Sequence, residues 1–397
     1  MRPGNGRSRR AERLVSSGGL LHRGSHAHLL QRVPTPAAPA PPAAGIDAIV
    51  VPTSRPANCL REAIRLGREL DSLVVALCSR SASADEAVAV GVALDARVIA
   101  IDVGGLERRL PLFETSRLLI QPRFRHFRRT SDLSAKRNLG LLLARVAGWQ
   151  RVLFLDDDIA RVKPAELRAA AGLLPEYRAV GLSNDGFPDN SVVCHAYRHV
   201  GGAQDVFIGG GAMLVAPNAL DAFFPNIYSE DWFFLFDAVA AGSVAVSGAM
   251  VHKEFDPYAD PGRAKAEEFG DLLGEGLFGL LDEGAELERA DRAYWLRCLH
   301  SRRALIESVL GDLRRSNGDA QRGRMIASLE AARSVSSFIT PTLCIDYLQA
   351  WHRDRERWRE YLGAFEPGQE IEKALADLGF AGRCVSTLAA SQPAAAI

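Results

Sequence analysis

The chain lacks long apolar runs, paired cysteines and net charge. No apolar run approaches the ~20 residues needed to cross a bilayer, so no transmembrane segment is expected. The formal net charge of the 397 residues is zero, which gives no overall attraction to nucleic acid or anionic lipid. The six cysteines are scattered without a CxxC pair, which suggests neither a zinc site nor a disulfide framework. A reducing cytoplasm fits this cysteine usage best.

The composition that is present is that of a globular protein, with 47% hydrophobic and 24% charged residues. Residues 1–45 begin with a basic stretch and end in a Pro/Ala-rich linker, and they are predicted to be a disordered tail. No long apolar segment follows the basic stretch, so a secretory signal is not expected. We expect a catalytic domain over residues 46–260 and a helical C-terminal region over residues 261–397.

Strand and helix patterns alternate from residue 46 onward. Such alternation predicts an α/β fold with a mostly parallel, doubly wound sheet flanked by helices. A helix is predicted over residues 83–94, and another opens at Ser131 or Asp132 with an apolar stripe on one side. The predicted strands cover residues 46–52, 73–78, 97–101, 152–155, 179–182, 191–195, 206–215 and 243–251.

An acidic triplet follows the fourth predicted strand, where apolar residues 152–155 run directly into Asp156, Asp157 and Asp158. Open α/β sheets bind ligands at this end of their strands. Alternate residues of an extended segment point the same way, so Asp156 and Asp158 can hold one Mg²⁺ or Mn²⁺ while Asp157 points elsewhere. Taken alone, the triplet also fits a solvated acidic turn.

Two polar segments are candidates for binding a nucleotide diphosphate. Pro52, Thr53 and Arg55 form a turn after the first predicted strand, where backbone N–H groups and a hydroxyl can meet a nucleotide. The second segment is Lys136-Arg137-Asn138 in the first turns of the helix before the acidic strand. Its two cations and amide can hold a diphosphate, although a solvated helix face explains the second segment equally well.

Two later segments are candidates for the acceptor side of the same site. Three glycines, residues 209–211, precede a strand and allow close approach of a ligand, or else mark a structural bulge. Ser229 is a plausible helix N-cap, and Glu230, Asp231 and Trp232 follow it. These acids compensate a helix dipole, but an acid beside a large aromatic ring also suits sugar binding and proton abstraction.

The ordered set resembles a nucleotide-sugar-dependent glycosyltransferase of the GT-A fold, a Rossmann-related fold, and is most similar to family 2 of those enzymes. The segments are Pro-Thr-x-Arg-Pro, Lys-Arg-Asn-Leu-Gly, Leu-Phe-Leu-Asp-Asp-Asp, Gly-Gly-Gly-Ala and Glu-Asp-Trp-Phe. The match covers about half the chain, residues 46–252. The predicted helices after residue 261 find no clear match in that pattern.

The resemblance and the residue patterns together assign candidate roles. Glu230 or Asp231 is the candidate catalytic base, and the candidate metal ligands are Asp156, Asp158 and His252, the last of which is also explained as a structural histidine. The acceptor-binding candidates are Gly210, Gly211 and Trp232. The donor-binding candidates are Pro52, Thr53, Arg55, Lys136, Arg137, Asn138, Asp156 and Asp157.

The function implied is metal-dependent transfer of a hexose from a UDP- or GDP-linked donor to a hydroxyl acceptor, with Mn²⁺ or Mg²⁺ as cofactor. Inversion is expected from a base-assisted single displacement, while a retaining course and a homo-oligomer both stay open. An aspartate-nucleophile phosphatase or phosphotransferase is an alternative. Those enzymes usually carry Thr or Val where this chain has Ala160, and their acidic strand comes first rather than fourth. A non-catalytic nucleotide-sugar-binding protein is the other alternative.

Overall fold

The structure, a computed structural model, describes residues 22–35, 45–316 and 320–388. Most of its strands lie in one sheet at the centre of the fold. The strands are β1 (Gln31–Arg32), β2 (Ala48–Thr53), β3 (Leu73–Cys78), β4 (Val98–Asp102), β5 (Val152–Leu155), β6 (Ile159–Ala160), β7 (Ala179–Asn184), β8 (Ala212–Val215), β9 (Val244–His252) and β10 (Cys384–Ser386).

The strand order across the sheet is β1-β9-β7-β8-β5-β2-β3-β4-β10, with β6 paired to β9 outside this row. Neighbours are parallel except for β8, which runs antiparallel to β5 and β7, and β10, which runs antiparallel to β4. The predicted α/β fold with a mostly parallel sheet is therefore confirmed. Because β2 and β5 are parallel neighbours, their C-terminal ends meet at one edge of the sheet.

Helices cover both faces of the sheet and make up most of the chain after residue 260. The α-helices are α1 (Arg61–Leu70), α2 (Ala84–Ala93), α3 (Glu114–Leu119), α4 (Leu133–Ala147), α5 (Pro164–Gly172), α6 (Val192–His199), α7 (Glu230–Ala240), α8 (Pro261–Asp282), α9 (Arg292–Arg315), α10 (Ala320–Ser336), α11 (Pro341–Gly363) and α12 (Ile371–Leu375). No helix capable of crossing a membrane occurs in the described part of the chain.

Strand β5 shows how the apolar sequence specifies its position between two cores. Successive side chains of a strand point to opposite faces. Val152 and Phe154 pack in the core that contains α4, α7 and the C-terminal helices, while Leu153 and Leu155 pack in the core beneath α1, α2 and α5. All four are at most 1% exposed. We expect Phe154→Ala to cost about 3–5 kcal/mol of unfolding free energy.

Helix α4 begins after Asp132 and ends at Gly148, whose positive φ of 73° is the left-handed conformation typical of a helix C-terminus. The sequence predicted one apolar stripe on this helix, but residues on all its sides are buried. The three polar residues at positions 136–138 are therefore inside the protein. They form internal contacts rather than a solvated face.

Two predicted strands differ from the structure. Residues 191–195 were predicted as a strand, but residues Val192–His199 form helix α6. The Ser191 hydroxyl caps this helix by accepting the Cys194 N–H at 3.3 Å, and short apolar runs do not distinguish strands from buried helices. Of residues 206–215, only Ala212–Val215 are a strand. The preceding residues, including the glycines, form an irregular loop.

Residues 22–35 differ from the predicted disordered tail, of which residues 1–21 and 36–44 lie outside the described residues. Strand β1 pairs in parallel with β9 at the edge of the sheet. His26 is 4% exposed and Leu30 is 8% exposed. The segment is ordered because it covers the backbone groups of an edge strand and buries these side chains beside the C-terminal helices.

The C-terminal helices pack on the same core as the sheet. Trp295 and Trp351 are buried in one cluster with Phe154 of β5 and Phe269 of α8. Gly270 of α8 permits a close approach, because a Cβ there would lie 2.3 Å from the Tyr228 carbonyl oxygen just before α7. Helix α8 therefore lies directly against the start of α7, where the candidate base residues are.

Candidate active site

A cleft of about 550 Å³ opens at the C-terminal edge of the sheet, beside the end of β5. Its size is typical of a site for a small molecule or cofactor. The end of β5, the glycine loop before β8, the start of α7 and the end of β9 form its walls together with α6 and α8. The predicted site residues that line it are Arg137, Asp156, Asp158, Gly211, Glu230, Asp231, Trp232 and His252.

The three consecutive aspartates diverge after β5. Asp157 is buried and accepts a hydrogen bond from the Thr53 hydroxyl at 2.6 Å, and it also pairs with the Arg55 guanidinium. Asp156 and Asp158 instead line the cleft. Arg55 reaches Asp158 as well, with 3.1 Å between the charged atoms. The geometry agrees with the alternation that the sequence predicts for Asp156 and Asp158.

Arg137 bridges two walls of the cleft. Its guanidinium donates to both carboxylate oxygens of Asp156 at 3.0 Å and to Glu230 at 2.8 Å. The residue is only 2% exposed. Arg129 donates to the other Glu230 oxygen at 2.8 Å. Glu230 therefore lies between two guanidinium groups, which balance its negative charge.

The glycine loop, residues 209–211, packs closely against the side chains of Arg137 and Asp231. A Cβ at Gly210 would lie 2.3 Å from the Arg137 guanidinium carbon, and one at Gly209 would lie 2.4 Å from an Asp231 carboxylate oxygen. A Cβ at Gly211 would meet nothing closer than 3.4 Å, and the Gly211 carbonyl accepts the Asp156 N–H at 2.9 Å. Glycine at positions 209 and 210 thus allows Asp231 and Arg137 to reach their places.

Among the residues that the structure describes, Asp231 is the carboxylate of α7 that forms no ion pair with an arginine. It accepts the Gly210 N–H at 2.7 Å and the Trp232 N–H at 2.9 Å. Burial, and then the neighbouring charge of Glu230, raise the pKa of Asp231 to about 6. A carboxyl group that exchanges its proton near neutral pH inside a cleft is a candidate acid or base.

Asp156 also has an elevated pKa. Burial raises the pKa of Asp156 to about 7, with Arg137 opposing the shift and Asp158 adding to it. The side chain is deep among protein atoms but keeps 25% of its surface open to the cleft. The negative charges of Asp156 and Asp158 therefore disfavour each other in the absence of a cation.

Some buried polar atoms of the cleft residues have no hydrogen-bond partner within the described part of the chain. Among them are Oδ1 of Asp158 and Nδ1 of His252. His252 Nε2 lies 3.7 Å from the same Asp158 oxygen. A divalent cation would satisfy an unpartnered carboxylate oxygen of this kind, and carboxylate and imidazole ligands fit Mn²⁺. In the described residues, Asp156, Asp158 and His252 do not bring three ligand atoms within 4.8 Å of one another, as Arg137 binds both oxygens of Asp156.

Several predicted donor-binding residues are bonded inside the protein. The Lys136 ammonium donates to the Thr53 carbonyl and the Ser79 hydroxyl, both at 2.7 Å. The Asn138 amide pairs with the backbone N–H and carbonyl of Phe224 at 2.8 and 2.9 Å, and Pro52 is buried in β2. Consecutive helical residues point about 100° apart. Of the three polar residues on α4, only Arg137 reaches the cleft.

Several residues that line the cleft were missed in the sequence, among them Asp189, Phe255 and Arg263. Asp189 follows β7 and lines the cleft near Asp158 and His252, and its side chain is exposed to solvent. Arg263 of α8 lies over the Phe255 ring, with 4.4 Å from the guanidinium carbon to the ring centroid. Asp189 could have been found from the rule that parallel strands end at one edge of the sheet. Arg263 carries no such signal, because α8 lies beyond the segments that resemble the family.

Comparison with known proteins finds little similarity at the sequence level. No family model matches the chain, and no curated protein matches it. Among solved structures, the chain is similar to mannosyltransferase PcManGT from Pyrobaculum calidifontis in complex with GDP-Man and Mn²⁺, with a TM-score of 0.43 and 14% identity over 87% of this chain and 93% of that one. A mycobacterial protein gives a TM-score of 0.38 and 16% identity over 62% and 76% of the two chains. Both TM-scores are low, so the function is argued from the cleft residues.

Proposed function

We propose that the protein is a metal-dependent glycosyltransferase of the GT-A type, related to family 2, which transfers a hexose from a UDP- or GDP-linked donor to a hydroxyl acceptor. The observation that carries this proposal is the placement of Asp156 and Asp158 in one cleft with Asp231. The first two follow a buried central strand, and the third opens α7. A metal-ligand pair and a separate proton acceptor are what transfer from a sugar diphosphate requires.

Asp158 and His252 are the residues best placed to hold the cation, because each carries a buried polar atom without a partner. Asp156 is the third ligand in this proposal. A bound Mn²⁺ or Mg²⁺ supplies a Lewis acid for the charge that develops on the departing diphosphate. Arg137 acts as a positioning residue, since its guanidinium is buried between Asp156 and Glu230. Arg55 pairs with Asp157 and Asp158, and its side chain is 43% exposed, so it is a candidate to contact a phosphate as well.

Asp231 is the proposed general base. Glu230 is paired with Arg129 and Arg137, so each of its oxygens already accepts a hydrogen bond from a guanidinium group. Asp231 receives only backbone N–H groups. It takes the proton of the acceptor hydroxyl as that oxygen attacks the anomeric carbon, and the bond to the diphosphate breaks. This single displacement inverts the anomeric configuration.

Trp232 and the glycine loop form the proposed acceptor side. Trp232 lines the cleft beside Asp231 and packs on Phe207 and Phe278, with ring centroids 5.0 and 4.8 Å apart. These contacts fix the orientation of the indole. A fixed aromatic face next to the base suits a sugar ring, whose C–H groups pack on it while a hydroxyl meets Asp231.

The contacts of Asp156 favour transfer over phosphatase chemistry. A nucleophilic aspartate needs a carboxylate oxygen free to attack phosphorus. Both oxygens of Asp156 accept hydrogen bonds from Arg137 at 3.0 Å. The residue is therefore held as a fixed negative charge beside Asp158 rather than as a free nucleophile.

The test compares Asp158→Asn with Asp185→Asn, an exposed aspartate after β7. A panel of UDP- and GDP-linked sugars with Mn²⁺ is assayed for nucleotide release and for transfer to hydroxyl acceptors. The D158N substitution is expected to lower turnover by about 10²–10³, with the D185N control near wild type. A matching donor should also raise the unfolding free energy of wild type by ~2.7 kcal/mol at a hundredfold excess over its Kd.

Three outcomes would contradict the proposal. If D158N keeps its metal-dependent turnover, Asp158 is not a ligand of the catalytic metal ion. Metal-dependent hydrolysis of simple phosphate monoesters would favour a phosphatase. Donor-induced stabilisation without release of nucleotide across the acceptor panel would favour a binding protein without catalysis.

A further inference from the structure

A second group of metal-ligand side chains lies apart from the aspartate pair. Across residues 22–35, 45–316 and 320–388, one set of three such side chains has its ligand atoms within 4.8 Å of one another, and it consists of His22, Cys194 and Glu275. We propose that these three residues form a zinc site, here called the His-Cys-Glu site, which fastens the N-terminal segment 22–35 to the wall of the cleft.

The ligand types and spacing fit Zn²⁺. Imidazole nitrogen, thiolate sulfur and carboxylate oxygen are its usual protein ligands, at about 2.0–2.3 Å from the metal. Ligand atoms around a tetrahedral ion then lie ~3.5 Å from one another. Shifts of about 1 Å in these side chains would close the site from its present spacing. The thiolate separates this site from the oxygen-rich aspartate pair, which suits Mn²⁺ or Mg²⁺.

Helix α8 turns several acids toward the protein interior, and the arginines nearby neutralise only some of them. Glu267 pairs with Arg263 at 2.5 Å. Glu268 and Asp271 share Arg302, at 2.7 and 2.6 Å.

Among the described residues, Glu275, one helical turn further along α8, pairs with no arginine. His26 Nε2 lies 3.4 Å from one of its oxygens, and, against the opposing effect of burial, hydrogen bonds to Asp282 and Glu275 raise the pKa of His26 to about 9. His26 therefore gives Glu275 one positive charge at the edge of the site, and a cation at the His-Cys-Glu site would add a second.

Gln204 is a hydrogen-bond partner of His22. Its side-chain oxygen lies 2.5 Å from His22 Nε2, and metal-bound histidines usually donate their other ring N–H to a partner of this kind. Gln204, Cys194 and Glu275 all line the cleft wall. The two anionic ligands of the site, Cys194 and Glu275, match the charge of Zn²⁺.

The same geometry does not suit a cysteine nucleophile. Cys194 is 2% exposed, and burial raises its pKa well above the usual range, with the charges of Asp271 and Glu275 adding to the shift. A thiol buried in this way is not accessible to act as a nucleophile. A directly bound metal ion would remove its proton.

The site would connect segments that are otherwise far apart in the chain. His22 precedes β1, Cys194 is in the first turn of α6, and Glu275 is on α8. His26, four residues after His22, packs edge-on against Trp232 with 5.5 Å between ring centroids. Fastening the segment therefore also supports Trp232, the proposed acceptor platform, and in that respect the inference rests on the proposed function.

Cobalt substitution tests the site directly. The full chain is prepared without a polyhistidine tag, stripped with chelator and titrated with Co²⁺. A thiolate bound to Co²⁺ gives a near-ultraviolet charge-transfer band, which carboxylate and imidazole ligands alone do not produce. We expect one equivalent to develop this band and Zn²⁺ to bleach it. Cys194→Ser should abolish the band, while the control Cys384→Ser, in β10 at the opposite edge of the sheet, should keep it.

Further variants keep the test decisive. Asp158→Asn should keep the band even where it loses turnover, so a failure of the His-Cys-Glu site is distinguishable from a failure of the proposed function. If C194S does not fold, His22→Ala and Glu275→Gln should each weaken Co²⁺ binding at least about tenfold, since even loss of an outer partner costs this much. No band in wild type, a band that persists in C194S, or unchanged Co²⁺ affinity in both H22A and E275Q would overturn the proposal.

Discussion

The two acidic walls of the cleft differ in how their charge is balanced. At the end of β5, Asp158 keeps a buried oxygen without a partner, and Asp156 is held by Arg137 alone. At the start of α7, Glu230 is held by two guanidinium groups, while Asp231 meets only backbone N–H groups. Adjacent acids that look alike in the sequence therefore differ in their charge partners, and this difference decides which of them can bind a cation or accept a proton. The first wall is suited to a cation, and the second provides one structural acid and one proton acceptor.

The largest effect is expected when the two acids at the start of α7 are neutralised one at a time. Asp231→Asn keeps the side-chain shape but removes the proton acceptor. We expect kcat to fall by about 10²–10⁴ with little change in the donor KM. Glu230→Gln should lower stability more than kcat, because it leaves Arg129 and Arg137 short of negative charge. Steady-state kinetics and urea unfolding of both variants decide it, and a larger kcat loss in E230Q would reverse the assignment.

The bridge between the walls should matter most for stability. Arg137→Met leaves Asp156 and Glu230 without their shared cation in a buried position. Breaking a buried ion pair in this way typically costs about 3–5 kcal/mol of unfolding free energy. Arg129→Met, the matched control, removes a guanidinium that is more exposed and leaves Glu230 one partner. Chemical denaturation should therefore show a clearly smaller loss of unfolding free energy in R129M. Equal losses in the two variants would mean that the bridging position of Arg137 adds nothing to stability.

The glycine loop offers a matched pair of substitutions. Gly210→Ala would place a methyl group 2.3 Å from the Arg137 guanidinium carbon, whereas the nearest atom to a methyl at position 211 is 3.4 Å away. We expect G210A to cost about 1–3 kcal/mol of stability, in the range of overpacked cores, and G211A to cost less. Thermal unfolding measures both. If G210A is as stable as G211A, the Arg137 side chain can move away from the added methyl group without cost.

The smallest expected effect is a shift in the pH profile. Asp231 accepts a proton only when ionised, so its raised pKa places the acidic limb of kcat near pH 6 rather than near pH 4. Activity should fall as pH drops through this limb. Glu230→Gln removes a charge that helps to raise the pKa, so its limb should move to lower pH. A pH–rate profile of the two proteins checks this, and an unmoved limb would mean that Glu230 does not act on the base.

Local sequence patterns predicted the parts of the site that a short segment builds by itself. The apolar run of β5 and the acids after it are consecutive, so strand alternation alone separates Asp157 from its neighbours. Helix α4 is buried on all sides, and its sequence does not show which polar residue faces the cleft. Lys136 and Asn138 were therefore predicted as donor contacts, although their side chains form internal hydrogen bonds.

Features that combine residues from distant segments could not be predicted from the sequence. His22, Cys194 and Glu275 come from the segment before β1, from α6 and from α8, and no spacing rule connects them. The helix at Val192–His199 was predicted as a strand, because its apolar start fits both elements. The fold class was predictable from strand and helix alternation, while the helices after residue 260 required the structure to be placed.

Binding of Mn²⁺ together with a donor nucleotide tests the central claim most directly. Crystals of the full chain grown with Mn²⁺ and UDP or GDP, with data collected at the manganese absorption edge, locate the ion by its anomalous signal. The account predicts a peak bonded to Asp158 and a diphosphate oxygen, with a carboxylate oxygen of Asp156 or the His252 ring beside it. A nucleotide bound in the cleft with no peak at Asp158, or a peak only beside Cys194, would contradict it.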